Sequence, residues 1–325
     1  MKGRALARMA EICYNAVGRG IPMQEPIMTR RFFLKGLGAF IAAPLAGCAC
    51  AGRGERPLVR FGLVTDCHYA DIPYARRPWP VGDAAYRESA AKLAECVAVM
   101  NRERPDFLIE LGDFKDLGKD KSATIESLDA IERVFALFRG GRYHVLGNHD
   151  FDVLDKAEFL AHISNADQPQ TLAHYSFTRG GVKCIVLDAC YTSAMEDYRP
   201  GNWDWRDANV PPWQLEWLAA ELDSARGPAV VFCHQCLDPA ADSNHLVRNA
   251  ADVRAVLEHS GKVRAVFTGH QHSGRIGRVN GIMYYSLRAT VLNSGEEENA
   301  YALAEVYPSG EVAVTGYRKA ASARV

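Results

Sequence analysis

The sequence predicts an α/β fold, with mixed β-sheets at the centre and helices outside. Three observations lead there. Short apolar runs alternate with segments of helical period through residues 58–272, the pattern of buried strands linked by helices. From residue 281 onwards the chain changes to alternating strands with turns between them. Its 325 residues are 48% hydrophobic, enough to fill one large core or two small ones. No shift in composition follows residue 55. Residues 56–325 therefore read as one domain, and residues 1–55 as an upstream extension, signal and linker.

Taken in order, "LVRFGLVTD" (58–66) is an apolar strand that ends in a carboxylate. "AAYRESAAKLAECVAVMNRE" (84–103) is a helix with Leu93, Cys96, Val97 and Met100 on one face. "DFLIELGD" (106–113) is a second buried strand, and "SATIESLDAIERVFALF" (122–138) a second helix with Ser122 as its N-cap. "YHVLGNHD" (143–150) is a third strand, with Gly147 expected at positive φ in a sharp turn. "AHYSFTRGGVKCIVLDA" (173–189) is a hairpin turning at Gly180-Gly181, and "PPWQLEWLAAELDSA" (211–225) a helix with Pro at its start. "PAVVFCH" (228–234) and "VRAVFTGHQH" (263–272) are buried strands with the helix "ADVRAVLEHS" (251–260) between them. "GIMYYSL", "NAYALAEVYP" and "EVAVTGY" complete the strands. Residues 190–210 have no period and are rich in Trp, Tyr, Asp and Asn. A loop of that length in a compact domain is functional or disordered.

The formal net charge is −1, and no long block of like charge occurs. Neither nucleic acid nor an anionic membrane is drawn by a global field, so any phosphate-handling site must gather positive charge locally. The nine cysteines do not form a disulfide framework. Cys96 and Cys184 sit in apolar periodic segments as small hydrophobes. Cys233-x-x-Cys236 lacks the helix start expected after a redox motif.

"TRRFFLK" (29–35), followed by "GLGAFIAAPLAG", resembles the twin-arginine export signal. The apolar run is short for a bilayer span and ends in small residues. The plain alternative is a buried helix with a basic start. Met28 is a second candidate start. "LAGC" (45–48) resembles a bacterial lipobox that would lipidate Cys48, and the competing reading is cleavage after Ala49-Cys50-Ala51. The expected location is periplasmic or extracytoplasmic, with membrane contact only through a lipid at Cys48. The oligomeric state is not legible.

Five apolar strands end in groups able to bind metal. These are Asp66-x-His68, Gly112-Asp113, Gly147-Asn148-His149-Asp150, His234 and Gly269-His270-Gln271-His272. Strand ends of a parallel sheet line one edge, where open α/β sheets hold their ligands. Five of the ten histidines fall inside these motifs. The series D-x-H, G-D-x-x-D, G-N-H-D/E, H, G-H-x-H resembles that of the calcineurin-like metallophosphoesterases and is complete across residues 66–272. The resemblance implies a four-layer α-β-β-α sandwich of two mixed sheets flanked by helices. It also implies two divalent ions (manganese, iron or zinc) and cleavage of a phosphodiester or diphosphate by metal-activated hydroxide. Asp66, His68, Asp113 and His272 would hold one ion. Asp113, Asn148, His234 and His270 would hold the other, with Asp113 bridging. His149 would protonate the leaving oxygen or hold the phosphate. Asp116, the second Asp of G-D-x-x-D, would orient His149, or else is a solvated loop carboxylate. Asp150 caps the turn.

"FGLVTDCHYAD", "YRES", "WQLEWLAAEL", "NAADVRAVLE" and "FTGHQHSG" resemble the manganese-dependent ADP-ribose/CDP-alcohol diphosphatase branch. That branch often carries Gln where this chain has His68. The substrate implied is a small phosphorylated compound, of nucleotide type. Arg76 and Arg77 are candidates for a second phosphate. Tyr191, Tyr198, Trp203 and Trp205 are candidates for stacking on a base or sugar. Two other readings stand beside this one: a phosphomonoesterase on the same site, and a metal-binding lipoprotein without turnover.

Overall fold

The structure, a computed structural model, describes residues 55–73, the backbone of 75–79, and residues 81–325. The export motif, the candidate start Met28 and Cys48 lie outside the described residues, as do the side chains of Arg76 and Arg77. Arg56–Val325 forms one compact unit. Its strands are β1 (Val59–Val64), β2 (Ala75–Trp79), β3 (Gly82–Ala84), β4 (Phe107–Glu110), β5 (Gly141–His144), β6 (Tyr175–Arg179) and β7 (Val182–Val186). They continue as β8 (Ala229–Phe232), β9 (Val263–Thr268), β10 (Arg275–Val279), β11 (Ile282–Ser286), β12 (Ala300–Val306), β13 (Val312–Arg318) and β14 (Ala323–Arg324). The helices are α1 (Ser89–Glu103), α2 (Lys121–Phe135), α3 (Lys156–Leu160), α4 (Pro212–Ser224) and α5 (Ala250–Ser260).

Two six-stranded sheets run β14-β13-β12-β1-β4-β5 and β10-β11-β9-β8-β7-β6. Parallel pairs run β1-β4-β5 along one side of the first sheet, with β5 its edge strand, and β7-β8-β9-β11 through the middle of the second. Antiparallel strands fill the remaining positions, so both sheets are mixed. The inner faces meet in a single apolar core drawn from both sheets. Its centre is aromatic: Phe61 stacks on Phe107 at 5.0 Å and meets the edges of Phe232 and Phe267 at 5.4 and 5.3 Å. A buried Phe contributes ~1.5–3 kcal/mol by removal from water. These four clamp β1 and β4 against β8 and β9, the strands whose ends carry the metal-capable groups. On the outer face of the second sheet, Leu218 and Leu222 of α4 and Val253 and Leu257 of α5 are buried with Ile185, Val231 and Val266. On α1 the buried face includes Leu93, Cys96, Val97 and Met100, the stripe that the helical period predicts. The architecture is the expected α-β-β-α sandwich.

Several local expectations need correction. Helix α2 is capped by Asp120, whose carboxylate accepts from the Ala123 amide at 2.9 Å, and not by Ser122. The strands are shorter than their apolar runs suggest. The segments expected as strand tails leave the ladder because their hydrogen bonds run from loop to loop: the amides of Asp66 and His68 donate to the carbonyls of Gly112 and Asp113 at 3.0 and 2.8 Å. Strand β10 was not expected, although Asn280-Gly281 before β11 is a strong hairpin signal and both residues take positive φ. Helix α3 likewise carries a legible capping box, Asp155 with Glu158.

A buried charge cluster ties α2 to the parallel strands. His144 lies 3.4 Å from Glu110 and 3.2 Å from Glu132, and Glu132 also meets Arg142 at 2.7 Å. These are charge contacts, since neither ring nitrogen of His144 has an aligned hydrogen bond. Burial would depress the imidazole, but the Glu132 and Glu110 carboxylates overcome it and push its pKa up to about 9. Because this exceeds the unfolded value of ~6.5, the charge stabilises the fold fully below that pH and fades as pH rises through 9. His144→Leu should therefore lower the unfolding free energy by about 3 kcal/mol at pH 6, as expected for breaking a buried ion pair. The loss should be clearly smaller above pH 10, and urea denaturation at both pH values measures the difference.

Candidate metal centre

The loops after β1, β4, β5, β8 and β9 converge where the two sheets meet. The Gly269 amide donates to the His234 carbonyl at 3.0 Å, and His234 Nδ1 lies 2.8 Å from the Leu111 carbonyl, which joins the second sheet to the first. Asp113 is at the crossing and is 1% exposed. Its Oδ1 accepts from the His149 amide at 2.7 Å. Its Oδ2 lies 3.1 Å from His234 Nε2 and 3.4 Å from His68 Nε2. Asp66 accepts from the Thr65 hydroxyl at 2.8 Å and lies 3.3 Å from His272 Nε2.

Asp66, His68, Asp113 and His270 all take left-handed φ, between 43° and 65°. Such backbone costs ~1 kcal/mol or more per residue and persists where the surroundings over-determine it, typically at functional sites. Glycine is required beside them. Gly112 has φ +101°, and a Cβ there would lie 2.5 Å from His234 Nδ1. Gly147 differs from expectation, with φ −104°. Its need is for space: a Cβ would lie 2.1 Å from the Asp113 amide nitrogen and 2.4 Å from Oδ1.

Donor atoms of Asp66, His68, Asp113 and His272 lie within 4.8 Å of one another, and so do those of Asp113, His234 and His270. Asp113 belongs to both sets. Asn148 is 1% exposed, and neither of its amide atoms has a hydrogen-bond partner. His234 Nε2 and His270 Nε2 are likewise buried without an aligned partner. Orphaned buried polar atoms cost ~1–3 kcal/mol each, and clustered amide oxygen, imidazole and carboxylate are donors suited to divalent ions. The residues fit two metal ions.

Asp116 is not a solvated loop carboxylate. It is 8% exposed, with Oδ2 3.0 Å from His68 Nδ1 and 3.6 Å from His149 Nδ1. Its first partner is therefore His68, whose other nitrogen faces Asp66 and Asp113. A carboxylate behind a ligating imidazole fixes the ring's tautomer and orientation. Asp150 accepts from the Gly147 and Phe114 amides at 2.8 and 3.1 Å, the capping role expected of it.

Burial opposes every charge here, and mutual pairing decides the outcome. Burial would raise the Asp66 carboxyl, but His272 and His68 hold it well below the usual carboxylate range. Asp113 is lowered in the same way against its burial, by His234, His149 and His68. Burial would lower His68, yet Asp113 and Asp116 hold it well above the usual imidazole value. His270 and His149, where burial prevails, are lowered.

Trp203 and Trp205 flank the centre, with ring centroids 5.1 Å from His149 and 6.0 Å from His270. Tyr191 and Tyr198 are packing residues. Tyr191 lies beneath the Lys156 ammonium at 3.4 Å, and Tyr198 is fully buried with its hydroxyl on the Asp204 carbonyl. Cys67, in the loop after β1, is a buried free thiol pushed up by burial. Cys233 and Cys236 are buried free thiols, both raised by burial.

Sequence reasoning missed Lys115 and His245. Lys115 is buried, and its ammonium donates to the His149 carbonyl at 2.6 Å and pairs with Asp152. The His245 ring stands 5.0 Å from that of His270 and 5.3 Å from Trp205. Neither had a periodic or motif signal.

The profile of the calcineurin-like phosphoesterases matches residues 59–274, and the chain belongs to that family. The manganese-dependent ADP-ribose/CDP-alcohol diphosphatase of Danio rerio is 26% identical over 302 residues, covering 78% of this chain and 94% of that protein. The protein of that name from Oryza sativa subsp. japonica is 28% identical over 295 residues, covering 78% and 90%. A crystal structure of a dimetal phosphatase from Danio rerio superposes with a TM-score of 0.73 at 23% identity, covering 83% of this chain and 99% of that one. This chain is a metallophosphoesterase and takes two divalent metal ions.

Because Asp113 serves both donor sets, Asp113→Ala should lower manganese content from about two ions per chain to below one. His272→Ala, which touches one set, should retain more. Elemental analysis of dialysed protein decides, with circular dichroism to confirm that each variant is folded.

Proposed function

We propose that the chain hydrolyses a nucleotide-type diphosphate or phosphodiester at this dinuclear centre. Asp66, His68, Asp113 and His272 hold one ion, and Asp113, Asn148, His234 and His270 hold the other. The observation that carries the reading is the Asp113 carboxylate, shared by two donor sets. When bound, two divalent ions polarise a phosphoryl oxygen and lower the pKa of a coordinated water towards neutrality.

The chain's own groups do the rest. Asn148 offers an oxygen without charge, so Asp66 and Asp113 leave a positive surplus that attracts an anionic phosphate. Asp116 orients His68 and stands behind Nδ1 of His149, whose Nε2 donates a proton to the leaving oxygen. Lys115 fixes the His149 main chain. Trp203 and Trp205 present aromatic surface for a base or sugar. The relatives' names support a nucleoside diphosphate, since ADP-ribose and CDP-alcohols share that group. His68, where Gln is common in that branch, is the residue most apt to shift preference within the class. We also propose export through residues 29–35, which cell fractionation of the tagged chain would check.

The full chain loaded with manganese should release AMP and ribose phosphate from ADP-ribose, and should also cleave bis-(p-nitrophenyl) phosphate. Turnover of p-nitrophenyl phosphate alone would make it a phosphomonoesterase. Full metal content without turnover on any of the three would leave a metal-binding protein. His149→Ala should keep both ions and lose ~10²–10⁴-fold in kcat on ADP-ribose. Among phosphodiesters the loss should be larger for an alkoxide leaving group, which must be protonated, than for p-nitrophenolate, which need not be. Equal losses with both leaving groups would remove the proton-donor role.

A further inference from the structure

A second cationic feature adjoins the centre and has no part in the reading so far. A cavity of about 130 Å³ is lined by Ser273, Arg275, Arg288 and Lys319 among others. At ~30 Å³ per water, it has room for a phosphoryl group. Two carboxylates meet its three cations. Asp238 lies 2.7 Å from Arg275, and Glu298 lies 3.5 Å from Arg288 and 3.2 Å from Lys319. One positive charge is left over. Glu298 is also shared with the Asn293 amide at 3.0 Å, which divides its compensation further. Arg288 Nε is buried without a hydrogen-bond partner. The Arg288 guanidinium is therefore incompletely satisfied by Glu298 where the residue lines the cavity, and such a group suits an acceptor with several oxygens.

Position links the cavity to the metal centre. Ser273 directly follows His272. The amide of Ala289, next to Arg288, donates to the His272 carbonyl at 3.1 Å. One short stretch of backbone thus carries both a donor of the first set and a wall of the cavity. In a diphosphate the two phosphorus atoms share an oxygen, so the second phosphate lies a few ångströms from the one being cleaved.

We propose that this cavity binds a phosphate-class oxyanion, the second phosphate of the diphosphate substrate, with Arg288 as the principal donor and Lys319 and Arg275 supplying charge. The assignment of the anion to substrate rests on the hydrolytic reading above, whereas the site itself does not. A free phosphate would use the same donors, and the test separates the two sources.

In the first arm the full chain is held in EDTA, so that no metal can bind the probe, and inorganic phosphate is titrated by calorimetry. Wild type should bind, Arg288→Gln should weaken binding roughly tenfold, the loss of one charge-assisted contact, and Arg288→Lys should recover part of it. In the second arm, with manganese, Arg288→Gln should lower kcat/KM for ADP-ribose about tenfold more than for bis-(p-nitrophenyl) phosphate, which has a single phosphate. Weakened phosphate binding with no change in that ratio assigns the site to free phosphate and overturns the substrate assignment. No binding by wild type, or equal binding by Arg288→Gln, overturns the site. If wild type turns over no diphosphate, the functional reading fails while the EDTA arm still decides the cavity. Should Arg288→Gln fail to fold, Lys319→Gln, at a side chain 48% exposed, repeats both arms.

Discussion

Asp113 is a buried anion on left-handed backbone, with one oxygen on the His149 amide and the other facing His234 and His68. Placing a carboxylate there is costly unless it is paired and hydrogen-bonded. Everything around it follows from meeting that cost. Gly112 and Gly147 leave room for it, and His234 crosses from the second sheet to reach it. Asn148 is brought in by the turn whose next amide, that of His149, binds it. A site assembled round one shared carboxylate has little freedom. Shifting either sheet against the other would pull each donor set apart, because both sets draw on both sheets.

The rest of the fold keeps that register. The Phe61-Phe107-Phe232-Phe267 cluster clamps the sheets from inside. Charge does so from outside the sheets. Lys92 on α1, itself buried, donates to the carbonyls of Thr290, Leu292 and Asn293 at 2.7–2.9 Å. The same segment donates amides to Thr65 and Asp66 at 3.1 and 3.0 Å, so one lysine steadies the first metal-binding turn. Glu110, bonded to the Gly112 amide at 2.6 Å and paired with His144, does the equivalent for the second. Unpaired, either charge would be expensive. Paired, they convert burial into positional accuracy.

The metal-capable groups and the aromatic surface beside them come from different parts of the chain. The metal-capable groups stand at the ends of parallel strands. The aromatic surface comes from the 190–210 loop, which is tied down by Lys156 between Asp188 and Asp197, both at 2.6 Å. Loops held on a rigid scaffold can change without disturbing the strand ends. The cationic cavity next to His272 lies at the turn into β10.

The strand ends were legible in sequence because each pairs an apolar run with a metal-capable group after a glycine or at a run's terminus. Periodicity likewise identified α1, α4, α5 and the tail strands. What sequence could not decide were relations between segments far apart in the chain. Asp116 lies within its own motif, yet its partner is His68, 48 residues away. Lys115 in "GDFKD" carries no signal in the sequence, and only the turn at Asn148–Phe151 buries it against the His149 carbonyl and Asp152. Gly147 looked like a conformational requirement and proved to be a steric one, because the clashing atom belongs to Asp113. Local pattern determines which residues end a buried strand. Only tertiary packing, which brings two sheets face to face, decides which charges meet and which polar atoms are left needing a partner.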